Sequence, residues 1–296
     1  MSKAQKPPTK KVKLEAFAIH GHLGNVPVDY EALFSAIADM DPVERKDQVG
    51  DRVTVLPVFR REDDRYYFAA HVGTADASFL LLDLRAGTEE ERALEPGKIV
   101  TRKTLGLVDP RKRVAVVQFV QQGARAGQIA MLLEKLARRI NPVEYAELSL
   151  EFTPVPAEEF LEALAEFDTI KSASMRFARP NYDWEDYGAT FQTLGQESGA
   201  SALEVQASAR RNGSLNKDGG IIGLLRDVVR KGRSMLKTAT VTGNTASAAG
   251  LVTLRLDKHI ETKQAEVPST SSGQPAEAEV HKLAKQFLEE RPKIEE

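Results

Sequence analysis

The spacing of apolar residues changes period at Val120, and that change limits the folds open to the chain. Before it, the runs 12–19, 52–59, 65–72, 79–84, 99–108 and 114–120 are short, rich in β-branched, aromatic or leucine residues and separated by turn signals. Such runs read as strands. After it, Ile129, Leu132, Leu133, Leu136 and Ile140 recur at the spacing of a helix with one buried face. Leu148, Leu150 and Phe152 then alternate with Glu147, Ser149, Glu151 and Thr153, as a strand with one wet face must. Two periods in one chain exclude an all-helical bundle, and the period-2 runs exclude a coiled-coil rod.

The local signals fill in the order. Tyr30, Leu33, Phe34 and Ile37 place an apolar stripe on a helix that Asp29 caps. The charged turn 61–64 joins runs 52–59 and 65–72 into an antiparallel hairpin. Asp109 and Pro110 favour a type I turn between runs 99–108 and 114–120. Beyond Phe152, a short helix is expected around Phe160, Leu161, Leu164 and Phe167, and a strand through Ala173, Met175 and Phe177. The stretch 179–201 reads as a long loop, 202–208 as a strand, and Ile221, Ile222, Leu224, Leu225, Val228 and Val229 as a second strongly amphipathic helix. Runs 236–242 and 251–256 look like a strand pair joined by a small-residue loop.

The expected fold class is α+β: an N-terminal antiparallel meander with one helix, then a mixed half in which two strong amphipathic helices pack on strands. The expected divisions are a disordered basic arm over 1–13, a β-rich domain over 14–120, an α+β domain over 121–265, and a flexible linker with a terminal amphipathic helix over 266–296. Lys3, Lys6, Lys10, Lys11 and Lys13 without a single acid, together with Pro7 and Pro8, motivate the arm. A Ser/Pro-rich stretch followed by Val280, Leu283, Ala284 and Phe287 at helical spacing motivates the tether.

Composition removes several chemistries. The chain of 296 residues has no cysteine, which excludes disulfides, zinc knuckles, iron–sulfur clusters and thiol nucleophiles. No run approaches the roughly 20 apolar residues of a membrane span. The basic N-terminus lacks the apolar core of a secretory leader, so no membrane insertion and a cytoplasmic location are expected. His20 and His22, with His71 as a third, suggest a metal site, but two histidines flanking a glycine more often bind nothing, and neither metal nor cofactor is expected. The loop 121–128 lies between a strand and the best helix, where backbone N–H groups attract anions. It lacks the lysine of a nucleotide-binding P-loop, and a tight turn explains its glycines better. Glu158, Glu159, Glu162 and Glu166 read as the wet face of a helix. Asp183, Glu185 and Asp186, around the only tryptophan in the long loop, are the acids a metal-dependent nuclease could use. No nucleophile elbow occurs, so a non-catalytic role is preferred over an enzymatic one.

What remains is positive charge gathered in clusters although the net charge is only −2. Arg102, Lys103, Arg111, Lys112 and Arg113 fall on one hairpin; Arg125, Lys135, Arg138 and Arg139 on the first strong helix; Arg226, Arg230, Lys231, Arg233 and Lys237 around the second. The helix macrodipole accounts for those at helix C-termini. Phosphate contact accounts for the rest, and predicts sequence-independent DNA binding through Arg111, Lys112, Arg113, Arg125, Arg138, Arg139, Arg230, Lys231 and Arg233. That expectation requires the clusters to converge on one surface. A third reading is an interaction protein whose C-terminal helix docks in a partner's groove.

The hairpin 52–72 with its charged turn, the strand 113–120, the small-residue loop 123–127 and the following helix resemble the central part of the lambdoid phage-exclusion (RexA-like) proteins and related defence-associated bacterial families of unknown function. The likeness covers about residues 50–180 and contains no chemical motif, and the lysine arm and C-terminal helix depart from it. It implies a cytoplasmic, homodimeric, DNA-binding sensor or regulatory component of anti-phage defence, with no catalytic residue carried over.

Overall fold

The computed structural model describes residues 8–24, 26–75, 78–95, 97–179, 200, 202–230 and 235–290. It is a mixed α+β structure with an antiparallel N-terminal sheet. The first sheet is organised by β1 (Thr9–Leu23), whose fifteen residues are long enough to serve several partners in succession. On one edge, β1 pairs β15 (Thr262–Pro268) through its first half and β10 (Leu148–Pro154) through its second. On the other edge it pairs β9 (Val114–Gln118), which continues to β8 (Ile99–Asp109), β5 (Arg65–Ala75), β4 (Arg52–Glu62) and β3 (Lys46–Val49). The short β2 (Val26–Pro27) pairs the end of β1.

Each face of this sheet buries a helical layer because its strands alternate. Phe17 and Ile19 of β1 point to one side, where α1 (Tyr30–Asp39) and α2 (Ala126–Ile140) close a core containing Phe34, Phe59, Tyr66, Phe68 and Leu133. Asp29 caps α1 as expected, its carboxylate accepting the Ala32 N–H at 3.1 Å. Val12, Leu14, Ala16 and Ala18 point to the opposite side, against Val280, Leu283, Ala284, Phe287 and Leu288 of α5 (Glu277–Glu289). The second sheet, β12 (Ala202–Ser208), β11 (Phe167–Ala178), β13 (Leu236–Thr245) and β14 (Leu251–Arg255), has its own core with α3 (Glu158–Ala165) and α4 (Gly220–Arg230). A two-stranded ribbon, β6 (Ser78–Asp83) and β7 (Thr88–Ala93), stands apart from both sheets.

Four expectations are corrected. Residues 9–13 are not a disordered arm: their period-2 pattern was masked by lysine, but Val12 is buried and the run pairs residues 264–268 of β15. The described part of 266–296 is not a tether, because 266–268 end β15 on the edge of β1 and the apolar face of α5 is buried on the protein's own sheet. The same packing removes the free helix that the partner-docking reading needs. The division at residue 120 also fails. Both strong helices pack on strands, but α2 and the strand it covers, β10, belong to the N-terminal sheet, while α4 packs on the second sheet. The strand at 78–83 pairs the unanticipated charged β7 and lies outside the meander.

Candidate nucleic-acid interface

Of the nine cations expected to form one strip, seven are described; they fall on separate elements, and four of them meet an acid or a carbonyl. Arg111, on the β8–β9 turn, reaches Asp64 at 2.8 Å and Glu31 at 3.4 Å. Lys112 donates to the Leu288 carbonyl at 2.8 Å, at the C-terminal end of α5 where the helix dipole favours a cation. Arg113, held in the left-handed region at φ 54°, sits over the Tyr30 ring. At the far end of α2, Arg138 meets Glu134 at 2.8 Å and the Leu148 carbonyl at 2.7 Å, while Arg139 meets Asp47 at 3.3 Å. Lys135 joins the same Asp47 at 2.6 Å. These side chains tie α2 to β3 and β10. Arg230 is exposed at the end of α4, where Arg226 pairs Asp218 at 2.8 Å. Lys231, Arg233, Asp183, Glu185 and Asp186 lie outside the described residues.

Arg125, like Arg230, makes no ion pair among the described residues, and it leads to a different site. It stands at the N-terminal end of α2, about 22 Å along a fifteen-residue helix from Arg139. Its guanidinium lies 4.6 Å from the centroid of Phe119, a ring left 42% exposed at the end of β9. Lys13 approaches the same ring at 5.2 Å.

The reason these residues meet is a missing length of strand. Val117 of β9 pairs Glu15 of β1 on one side and Gly106 of β8 on the other. Glu15 and Gly106 are therefore level, and since β1 and β8 run parallel, so are Lys13 with Thr104 and Lys11 with Arg102. β9 stops at Gln118, and the chain turns away through the loop 119–125 into α2. The first halves of β1 and β8 face each other across a notch with no strand between them. The Gln118 side chain bridges its inner end, accepting the Leu105 N–H at 3.2 Å.

The notch is a cavity of about 840 Å³ lined by Lys10, Lys11, Arg102, Lys103, Gln122 and Pro275 among others, and by no acid among the described residues. Lys103 is paired with Glu277 at the start of α5, whose carboxyl is held below its ordinary range by that hydrogen bond. Lys10 donates to the Gly273 carbonyl at 2.7 Å, and Lys13 pairs Glu15 at 2.9 Å. Lys11, Arg102 and Arg125 are exposed and make no ion pair among the described residues. Strand alternation puts Lys11 and Arg102 on the α2 side, the side on which Phe119 and Arg125 lie. His71, paired in register with Lys103, hydrogen-bonds Thr101 at 3.0 Å; burial and the nearby lysine push its imidazole below the ordinary value of 6.5.

Of the two glycines in 121–128, Gly123 of the loop serves backbone geometry, whereas Gly127 lies in the first turn of α2 with open space around it. A Cβ on Gly123 would stand 2.5 Å from the Thr104 hydroxyl, so only glycine lets the loop lie on β8. The Arg125 N–H donates to Gln128 at 2.9 Å. His20 and His22 are buried on β1 beside β10, three strands away from His71 on β5, and no group of three metal-ligating side chains occurs among the described residues. Sequence reasoning singled out Arg125 but not Lys11 or Arg102 as ligands. The signal that could have found them is Phe119, an aromatic closing a strand between basic segments.

No protein-family model matches the chain, and no curated protein matches it.

Proposed function

We propose that this is a nucleic-acid-binding protein that holds DNA through its phosphates in the notch between β1 and β8. The observation that carries the reading is that Lys11, Arg102 and the exposed Phe119 line one cavity with Arg125 over the Phe119 ring, and that none of the three cations pairs an acid among the described residues. Uncompensated cations at a concave surface attract polyanions and release their counterions on contact. The reading rests on phosphate contacts, which carry no base information, so binding would be largely independent of sequence. In the setting the phage-exclusion resemblance implies, the chain would be the DNA-sensing component of an anti-phage system, acting as a homodimer.

The test is fluorescence anisotropy with labelled DNA from low to physiological salt. Lys11→Glu combined with Arg102→Glu is expected to weaken binding at least tenfold and to flatten the salt slope by about 2, one unit per lost phosphate contact. Arg111→Glu and Arg139→Glu, each reversing a cation already neutralised by an acid, are expected to change affinity less than about twofold. Equal losses at all four positions would return the interface to the strip that the sequence suggests.

A further inference from the structure

We infer that the notch takes a single nucleic-acid strand and discriminates against the duplex. This rests on the proposed function and adds the class of ligand. β1 and β8 both pair β9, so where β9 is absent their axes stand roughly two strand spacings apart, about 10 Å. That admits one extended chain. A duplex offers two backbones across a major groove roughly 12 Å wide, and cannot bring a backbone between Lys11 on one wall and Arg102 on the other. A lone strand passing along the notch can contact both, because the two residues are level across it.

The rim supplies what a single strand exposes and a duplex hides. Unstacked bases need a planar surface, and Arg125 is held 4.6 Å from the Phe119 centroid, with the aromatic ring itself 42% exposed. Cations tracking a backbone beside an aromatic platform are the usual composition of a single-strand groove. The floor suits the same ligand: Gln118, Gln121 and Gln122 offer neutral amides rather than carboxylates that would repel phosphate. Glu89, Glu90 and Glu91 of β7 are not among the residues lining the notch. An acidic extended peptide would match the cations too. The Phe119–Arg125 stack favours the nucleic acid, because a peptide strand has no base to lay on it.

The experiment compares a labelled twenty-nucleotide oligothymidylate with a duplex of equal length, titrated with the full chain at physiological salt, and includes an oligoglutamate competitor. The single strand is expected to bind at least about tenfold tighter than the duplex. Phe119→Leu should cost the single strand threefold or more and leave the duplex unchanged. Lys11→Gln with Arg102→Gln, a gentler pair than the charge reversals, should weaken single-strand binding while the thermal midpoint stays within a few degrees. Duplex binding as tight as the single strand, still sensitive to Lys11 and Arg102, would overturn this inference and leave the proposed function standing. Binding of neither form that responds to those two residues would remove both. Oligoglutamate displacing the oligonucleotide at equal concentration would assign the notch to an acidic peptide and overturn the inference.

Discussion

At one end of β8, Arg102 and Lys103 line a notch in which no acid faces them except Glu277; at the other, Arg111 and Lys112 follow the strand into a turn crowded by Asp64, Glu31 and the carbonyl end of α5. The side chains are of one kind and their surroundings differ. A guanidinium beside its own carboxylate has spent its field locally, and an exposed pair of this sort adds only about 0–1 kcal/mol to stability. A guanidinium beside another cation keeps its field for a ligand. What a basic cluster can do is therefore decided by which acids folding brings to it, not by how many cations the cluster contains.

The largest blow to the comparison is expected from the wall of the notch. Phe287 is buried at the α5–sheet contact, so Phe287→Ala should cost about 3–5 kcal/mol by denaturant unfolding. Partial undocking of α5 would also free Glu277 from Lys103 and abolish the contrast between the two ends of β8. If the loss stays below about 1 kcal/mol, α5 is not the structural wall described here. A smaller effect separates two glycines of one loop. Gly123→Ala, meeting Thr104 and Val120, should destabilise by about 1–3 kcal/mol and weaken DNA binding, since the loop carries Arg125. Gly127→Ala, in the first turn of α2 with open space around it, should be neutral or slightly stabilising. Equal effects would mean that the loop does not rest on β8.

The smallest expected effect is pH dependence at the same wall. The His281 ring of α5 lies tilted against Tyr67 with a centroid distance of 4.8 Å, and its Nε2 has no hydrogen-bond partner among the described residues. Burial, with Arg60 adding to it, pushes its imidazole below the ordinary value of 6.5, against the pull of Glu277 and Glu62. A histidine whose folded value is lowered binds fewer protons folded than unfolded. Its contribution is therefore intact above pH 6.5 and is lost as pH falls below it. His281→Leu should fall less in denaturation midpoint between pH 7 and pH 5.5 than the parent. Identical slopes would show that this histidine is not held neutral by the fold.

Much of the architecture was legible from local pattern. The period of Ile129 to Ile140, the cap at Asp29 and the turn at Asp109 depend on residues within a few positions of one another, and each formed where expected. The candidate site was legible only in part. Arg125 belonged to it, but Lys11 and Arg102 owe their meeting to β9 being shorter than the strands on either side of it. A run of lysines was read as disorder because charge hid the alternation of Val12, Leu14 and Ala16, which only β15 and α5, some 250 residues later, give a reason to be buried.

The amino-acid sequence by itself determined the two periods, the order of the helices and of the more apolar strands, the absence of thiol chemistry and the amount of positive charge, since all of these follow from side-chain type and near-neighbour spacing. Only the tertiary structure decided which cations are neutralised and which are left facing a cleft. Strand pairing joins residues distant in the chain, and an electrostatic interaction is set by distance in space.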